Sequence, residues 1–127
     1  MIIGVGLDVV AVERLERSLR QDGAAFAERV FTAAERKACE GRADRVQALA
    51  ARFAAKEALF KALGSGWKGG GALALHQVEV IAAANGKPEL RLLGATADQA
   101  AGLGVTKVHV TLTHEPEYAA AVVILEA

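Results

Sequence analysis

Residues 53 to 64 read FAAKEALFKALG, and this stretch places charged groups on a helix whose other positions are mainly alanine and aromatic. At helical spacing Phe53, Glu57 and Lys61 lie one turn apart on one stripe. A second stripe has almost no side chain, because it consists of Ala50, Ala54, Ala58 and Ala62. Such a helix can pack very closely, so its carboxylate and ammonium groups must pair with each other or be engaged by something else.

The pattern of this long helix runs from residue 44 to residue 63. Gly64 is the expected C-terminal stop, and the glycine-rich loop GSGWKGGG of residues 64–71 follows it. Backbone N–H groups of such a loop can approach phosphates. The loop lacks the GxxxxGK[ST] spacing of phosphate-binding loops, so a plain connection between elements is the alternative interpretation.

The rest of the chain predicts shorter helices and five strands. Residues 12–20 have helical period, and Thr-Ala-Ala-Glu at residues 32–35 predicts a helix with a capping box that ends at Gly41. Asn85-Gly86 predicts a type I′ hairpin turn. Strands are predicted at residues 2–10, 77–83, 89–93, 107–113 and 118–125, and a further helix at 95–102. The predicted fold is α+β, an antiparallel sheet packed with a long central helix.

The composition favours one domain over residues 1–127, since that length is enough for one core and too short for two. Fifteen basic and fifteen acidic residues cancel, which argues against binding to nucleic acid or to a membrane surface. Cys39 is the only cysteine, so a reducing, cytoplasmic location is expected. The apolar start MIIGVGLDVV lacks a basic leader, and no run of about twenty apolar residues exists, so neither a signal peptide nor a membrane span is predicted.

Asp8 is a charged residue in a strand that is otherwise apolar or glycine. Alternation puts Ile3, Val5, Leu7 and Val9 on one face and Gly4, Gly6 and Asp8 on the other. The missing glycine side chains predict an open path to the carboxylate. Asp8 is either a cap of the next helix or a hard-metal ligand. In the second case Glu57 is the natural second ligand of an Mg²⁺ site for phosphoryl transfer.

Glu57 and Lys61 also have the spacing of an i,i+4 salt bridge, which contributes only about 0.3–0.5 kcal/mol on an exposed face. Lys56 lies beside Glu57 in the sequence, so two ammonium groups are expected within reach of one carboxylate. One of the two positive charges would then have no carboxylate partner and could bind an anion, for which phosphate is the obvious candidate.

Other charged positions have two interpretations each. His114 closes a strand at a tight turn and is either a surface residue or a ligand-binding one. Arg14, Arg17 and Arg20 form either a solvated face or a docking surface for an acidic protein helix. Glu35 is expected only to complete its capping box.

The sequence resembles the holo-acyl-carrier-protein synthases, the small bacterial phosphopantetheinyl transferases. The resemblance rests on GVGLDVVAVERLE at residues 4–16 and RFAAKEALFKALG at residues 52–64, with FAERVFTAAE, NGKP and VTLTH before EYAAA in the same order and spacing. It covers essentially the whole chain. It implies Mg²⁺-dependent transfer of 4′-phosphopantetheine from coenzyme A to a serine of apo-acyl-carrier protein, with release of adenosine 3′,5′-bisphosphate, in support of fatty acid biosynthesis.

The resemblance also implies roles for single residues. Asp8 and Glu57 match the family's metal ligands, and Lys61 matches a lysine that faces the phosphates. Arg14 matches the helix on which the acidic carrier protein docks. The positions that match the coenzyme A site are Arg52, Phe53, Lys56, Gly64, Ser65, Gly66 and His114. Relatives are trimers with the active site between subunits, so the resemblance implies a homotrimer. The glycine-rich residues 67–71 depart from the family's pattern.

Three functions are compatible with these residues. In the transferase, the general base is either Glu57 itself or a water or hydroxide held by the metal. The alternatives are a non-catalytic module of the same fold that binds coenzyme A or a nucleotide, and a structural trimer whose charges are merely salt-bridged.

Overall fold

The computed structural model describes residues 1–64 and 74–127 and has the predicted α+β fold. Within these residues each predicted element is present with bounds that differ by at most two residues, and one short helix, α2, was not predicted. The strands are β1 (Ile2–Ala11), β2 (Val78–Ala82), β3 (Pro88–Leu92), β4 (Lys107–His114) and β5 (Tyr118–Glu126). The helices are α1 (Val12–Asp22), α2 (Ala24–Val30), α3 (Ala33–Cys39), α4 (Arg45–Leu63) and α5 (Gly94–Gly102).

The strands form two antiparallel sheets. The larger has the order β1-β5-β4, and β2 pairs with β3 in a separate hairpin. β5 is the central strand, as its continuous apolar run predicts, and its alternate residues Ala119, Ala121, Val123 and Leu125 are buried. In this register Asp8 of β1 lies opposite Ala121 of β5. The pairing therefore fixes the position of Asp8 along the strand direction of the sheet.

Helix α4 lies across the larger sheet and is buried on almost every side. It contacts β1, β5 and β4 on one side and α1, α3 and β2 on the others. The alanines that gave the predicted bare stripe, Ala50, Ala54, Ala58 and Ala62, are all buried. Among the described elements no helix, α4 included, is long and apolar enough to cross a bilayer.

Helix α4 fills the space beside Gly4 and Gly6, so the prediction that these glycines leave an open path to Asp8 is wrong. Gly4 and Gly6 lie directly against the backbone of α4. The opposite, apolar face is the open one, with Val5, Leu7 and Val9 each 56–60% exposed. The packing follows from the glycines, because only a face without side chains lets a helix backbone approach this closely.

The turn between β2 and β3 is a hairpin loop of another type than predicted. Gly86 has φ of +84°, but no residue other than glycine has positive φ among those described. A type I′ turn needs positive φ at both central residues, so Asn85 excludes it. The loop closes instead through hydrogen bonds from Gly86 N to Ala83 O and from Ala83 N to Lys87 O, each 2.8 Å.

Candidate active site

Asp8 and Lys61 meet where β1 crosses α4. Lys61 Nζ donates to Asp8 Oδ1 at 2.9 Å and to the carbonyl oxygen of Leu7 at 3.0 Å. The Asp8 side chain is only 12% exposed, while that of Lys61 is half exposed. Lys61 therefore forms its ion pair with Asp8 of β1. The i,i+4 salt bridge to Glu57 is not among the ion pairs of the described residues.

Glu57 lies one turn before Lys61 and is nearly buried, with 9% exposure. Its Oε1 is buried and makes no hydrogen bond within residues 1–64 and 74–127. Burial raises the pKa of Glu57 to about 7. The nearby Asp8 carboxylate is the second, smaller cause of this rise, and Lys61 acts in the opposite direction. The site thus contains one carboxylate that is paired and a second that has a buried, unpartnered oxygen.

Both carboxylates line one cavity of about 400 Å³, which we call the carboxylate cavity. Its wall also includes Arg14 from α1, Phe26 from α2 and Phe53 from α4. The sequence-based stripe of α4 thus brings Phe53 and Glu57 to the same cavity as Asp8. The two carboxylates and the arginine supply charge, and the two phenylalanines give a partly apolar wall.

We expect Glu57→Gln to stabilise the protein at high pH and not at low pH. The pKa of Glu57 is about 7 in the folded state, above its ordinary value of 4.5. Between these two pH values the folded state binds more protons than the unfolded state, so the protein loses stability as the pH rises from 4.5 through about 7. Glutamine removes that loss. Urea unfolding in chelator should show a gain of about 1–3 kcal/mol at pH about 8. The gain should vanish near pH 5, and equal gains at both values would contradict the raised pKa.

Arg52 and His114 lie on a second, smaller cavity of about 250 Å³, which we call the arginine cavity. Arg42 lines it as well. His114 Nδ1 is 3.2 Å from Gln47 Oε1, and Arg52 Nη1 donates to the carbonyl oxygen of Ala48 at 3.1 Å. The buried Arg52 Nε has no hydrogen-bond partner in the described parts of the chain. The residues expected to line one coenzyme A site are thus divided between two cavities.

Lys56 lies in neither cavity, so the expectation that its charge is left over beside Glu57 is wrong. Its side chain is completely buried and pairs with Glu35 Oε1 at 2.7 Å. It also donates to the carbonyl oxygens of Leu75, at 3.0 Å, and Val78. Burial lowers the pKa of Lys56, and the Glu35 carboxylate opposes that effect. The expected contact of Lys56 with coenzyme A stays a prediction, and it would require this buried ion pair to open.

Glu35 does more than close the predicted capping box. The box is present, since Thr32 N donates to Glu35 Oε1 at 2.9 Å and Glu35 N donates to Thr32 Oγ1 at 3.2 Å. Val80 N donates to the other carboxylate oxygen at 2.8 Å. Together with Lys56 this makes a buried polar cluster that joins α3, α4 and β2. Sequence reasoning missed it, although Lys56 stands one heptad from both Leu49 and Leu63 and therefore on a core-facing stripe.

The predicted docking arginines of α1 are all exposed. Arg17 pairs with Glu13 at 3.6 Å and Arg20 with Glu16 at 3.5 Å, both as i,i+4 pairs in solvent. Such pairs are weak. Arg14 has no ion pair in the described ranges and reaches the carboxylate cavity.

The remaining predicted contacts concern the glycine-rich loop. Gly64 has φ of +81° and ends α4, as predicted. Ser65 and Gly66 lie outside the described residues, so their proposed contacts with a nucleotide stay predictions.

Comparison with known proteins gives matches along the whole chain. A family model described as the 4′-phosphopantetheinyl transferase superfamily matches residues 4–123. A holo-[acyl-carrier-protein] synthase of Koribacter versatilis is 42% identical over 126 residues, 99% of each chain. The crystal structure of a holo-[acyl-carrier-protein] synthase from Neisseria meningitidis is similar over 100% of both chains, with a TM-score of 0.89 and 34% identity. That of a Bacillus anthracis synthase in complex with CoA (3′,5′-ADP) has a TM-score of 0.78 and 33% identity, over 100% of this chain and 98% of that one.

Proposed function

This chain belongs to the 4′-phosphopantetheinyl transferase superfamily, and from that premise we propose how its residues carry out the reaction. The activity is that of a holo-acyl-carrier-protein synthase: 4′-phosphopantetheine moves from coenzyme A to a serine of apo-acyl-carrier protein, and adenosine 3′,5′-bisphosphate is released. The observation that carries the mechanism is the meeting of Asp8 and Glu57 at one cavity, with a buried Glu57 oxygen that no described group satisfies.

In the proposed reaction the serine hydroxyl attacks the β-phosphorus of coenzyme A. A new phosphorus–oxygen bond forms while the bond to the bridging oxygen breaks, and that electron pair leaves with adenosine 3′,5′-bisphosphate. Lys61 holds an ammonium group beside Asp8, where it can offset negative charge on the diphosphate. Glu57 lines the same cavity as Asp8 and is one candidate to take the serine proton. A water or hydroxide is the other candidate for the base.

The two carboxylates also fit a magnesium ion. Carboxylate oxygens are the hard donors that Mg²⁺ prefers, and its sites in phosphoryl-transfer enzymes commonly use one or two carboxylates with phosphate oxygens and waters. The described residues contain no group of three or more His, Cys, Asp or Glu side chains placed for a metal. When bound, Mg²⁺ supplies positive charge that neutralises the diphosphate. We propose that Asp8 and Glu57 hold it.

A homotrimer would explain two further observations. The outer face of β1 exposes a row of apolar residues, namely Ile2, Val5, Leu7 and Val9, with Tyr118 beside them. A patch of this kind is typical of a protein–protein contact. In addition, the carboxylate and arginine cavities are separate in one chain, so coenzyme A bound between subunits could use Phe53 from one wall and Arg52 with His114 from another. Light scattering should give the mass of three chains.

Helix α1 is the proposed docking surface for the carrier protein. Arg14, Arg17 and Arg20 project from it into solvent and match an acidic partner. Because Arg14 also lines the carboxylate cavity, a carrier protein seated on α1 would bring its serine close to the proposed metal.

The enzyme is proposed to be cytoplasmic, and the buried free thiol of Cys39 supports a reducing compartment.

The proposed function is tested by transfer of radiolabel from labelled coenzyme A to an apo-acyl-carrier protein, with and without EDTA. We expect transfer that EDTA abolishes and excess Mg²⁺ restores. Transfer that is unaffected by EDTA would overturn the metal role. Coenzyme A binding without any transfer would favour the non-catalytic module, and no binding at all would favour the structural trimer.

A further inference from the structure

Two glycines of β1 determine how closely this strand approaches α4. A Cβ atom built on Gly6 would lie 1.8 Å from the carbonyl oxygen of Ala58 and 2.8 Å from the backbone nitrogen of Ala62. One built on Gly4 would lie 2.0 Å from the carbonyl oxygen of Ala62. The atoms in the way belong to the backbone of a buried helix, which cannot turn aside as a side chain can. Any other residue at either position must therefore push strand and helix apart.

The residues of the site are attached directly to this contact. Asp8 follows Gly6 by two positions and shares its face of the strand. Glu57 and Lys61 each immediately precede a helix residue that the glycines touch. Lys61 also ties the two elements together, since its Nζ donates both to Asp8 and to the carbonyl oxygen of Leu7. A change in the strand–helix distance would thus change the distance between the two carboxylates.

Besides the glycine contact, β1 is held by its pairing with β5 and by the hydrogen bonds from Lys61. Among the described strands β1 pairs with β5 alone and lies at the edge of the sheet, and its outer face is exposed at Val5, Leu7 and Val9. The position of Asp8 relative to α4 therefore depends on the hydrogen bonds to β5, on those from Lys61 and on the glycine contact with α4. Mg²⁺ makes this distance important, because it demands near-ideal octahedral geometry with short bonds.

We propose that Gly4 and Gly6 are positioning residues that set the spacing of Asp8 and Glu57 for one divalent cation. The inference rests on the proposed function, since it assumes that both carboxylates bind the same ion. The glycines themselves touch neither metal nor substrate. Their effect is to remove the side chains that would hold β1 away from α4.

The main test compares Gly6→Ala with the wild-type protein by two readouts. Mn²⁺ binding, followed by the EPR signal of the free ion, should weaken at least about tenfold, and kcat/KM should fall about 100-fold, since a displacement on the order of 1 Å has such an effect at an active site. The KM for the carrier protein should stay unchanged. Gly102→Ala is the matched control, because a Cβ there meets nothing within 4 Å, and it should behave as wild type.

A longer side chain should compensate for the displaced strand. Asp8→Glu alone should weaken Mn²⁺ binding, because the glycine contact leaves no room to adjust. In the Gly6→Ala background the same change should recover part of the lost affinity, which a general loss of stability would not allow. If Gly6→Ala does not fold, Gly4→Ala takes its place, and Asp8→Glu in the wild-type background tests the fixed spacing on its own.

The outcomes separate this inference from the proposed function. If the wild-type protein binds Mn²⁺ and a folded glycine variant binds it equally well, the positioning role is overturned while the metal site stands. Wild-type affinity in Asp8→Glu alone would also overturn it. If the wild-type protein with coenzyme A binds no Mn²⁺, the proposed metal site itself fails.

Discussion

Asp8→Asn is expected to lower the rate of phosphopantetheine transfer by about 100- to 1,000-fold, the range found when one preorganised electrostatic group is removed from an active site. Asparagine keeps the size of the side chain and can still accept the hydrogen bond from Lys61. It removes the negative charge that a metal ion requires. The measurement is the initial rate of label transfer to apo-acyl-carrier protein at saturating coenzyme A.

Asp98→Asn is a suitable control for this variant. Asp98 lies on α5, is exposed, and is far in sequence from both motifs. It should leave the rate unchanged. If Asp8→Asn kept the rate within a few-fold of wild type, Asp8 would not be a ligand of the metal. A binding module would lose only modest affinity for coenzyme A on this substitution and would show no turnover in either form.

Lys56→Met is expected to destabilise the protein by about 3–5 kcal/mol, because it leaves the buried carboxylate of Glu35 without its ammonium partner. The carbonyl oxygens of Leu75 and Val78 lose a donor as well. Urea unfolding at fixed protein concentration measures the loss. Any protein that remains folded should keep its affinity for coenzyme A, since Lys56 faces neither cavity.

The double variant Lys56→Met/Glu35→Gln makes this expectation sharper. The glutamine oxygen can still accept the capping-box hydrogen bond from Thr32 N, and glutamine carries no charge that must be paired, while Val80 N loses its acceptor. The double variant should therefore be more stable than the sum of the single losses predicts. Full additivity would show that the two residues do not interact. A loss of coenzyme A affinity in a stable Lys56 variant would restore the role that the family resemblance implies.

The elements were predictable from local patterns, whereas the meeting of the two motifs was expected from the chemistry of their residues and from the family resemblance. Periodicity separates a glycine face from an apolar face on β1, and the spacing of α4 puts Phe53, Glu57 and Lys61 on one stripe. A family resemblance then relates Asp8 to Glu57. The predictions of the strand faces and of the helix stripe succeed because strand and helix periods are properties of neighbouring residues, which the sequence gives directly.

What covers each face was not predictable in the same way. The pattern of β1 shows which residues share a face, but not that α4 covers the glycines and leaves Val5, Leu7 and Val9 open. Likewise Lys56 stands beside Glu57 in sequence, yet helical rotation turns it toward Glu35, twenty-one residues earlier in the chain. Such pairings depend on tertiary packing, and a single sequence does not contain a local signal for them.

The most direct test of the shared metal site is a crystal structure of the protein with coenzyme A and Mn²⁺ in place of Mg²⁺. The anomalous signal of manganese locates the ion independently of the protein atoms. We predict one strong peak at about 2 Å from a carboxylate oxygen of both Asp8 and Glu57, beside the diphosphate. A peak that contacts only one of these carboxylates, or none in the carboxylate cavity, would contradict the proposed site.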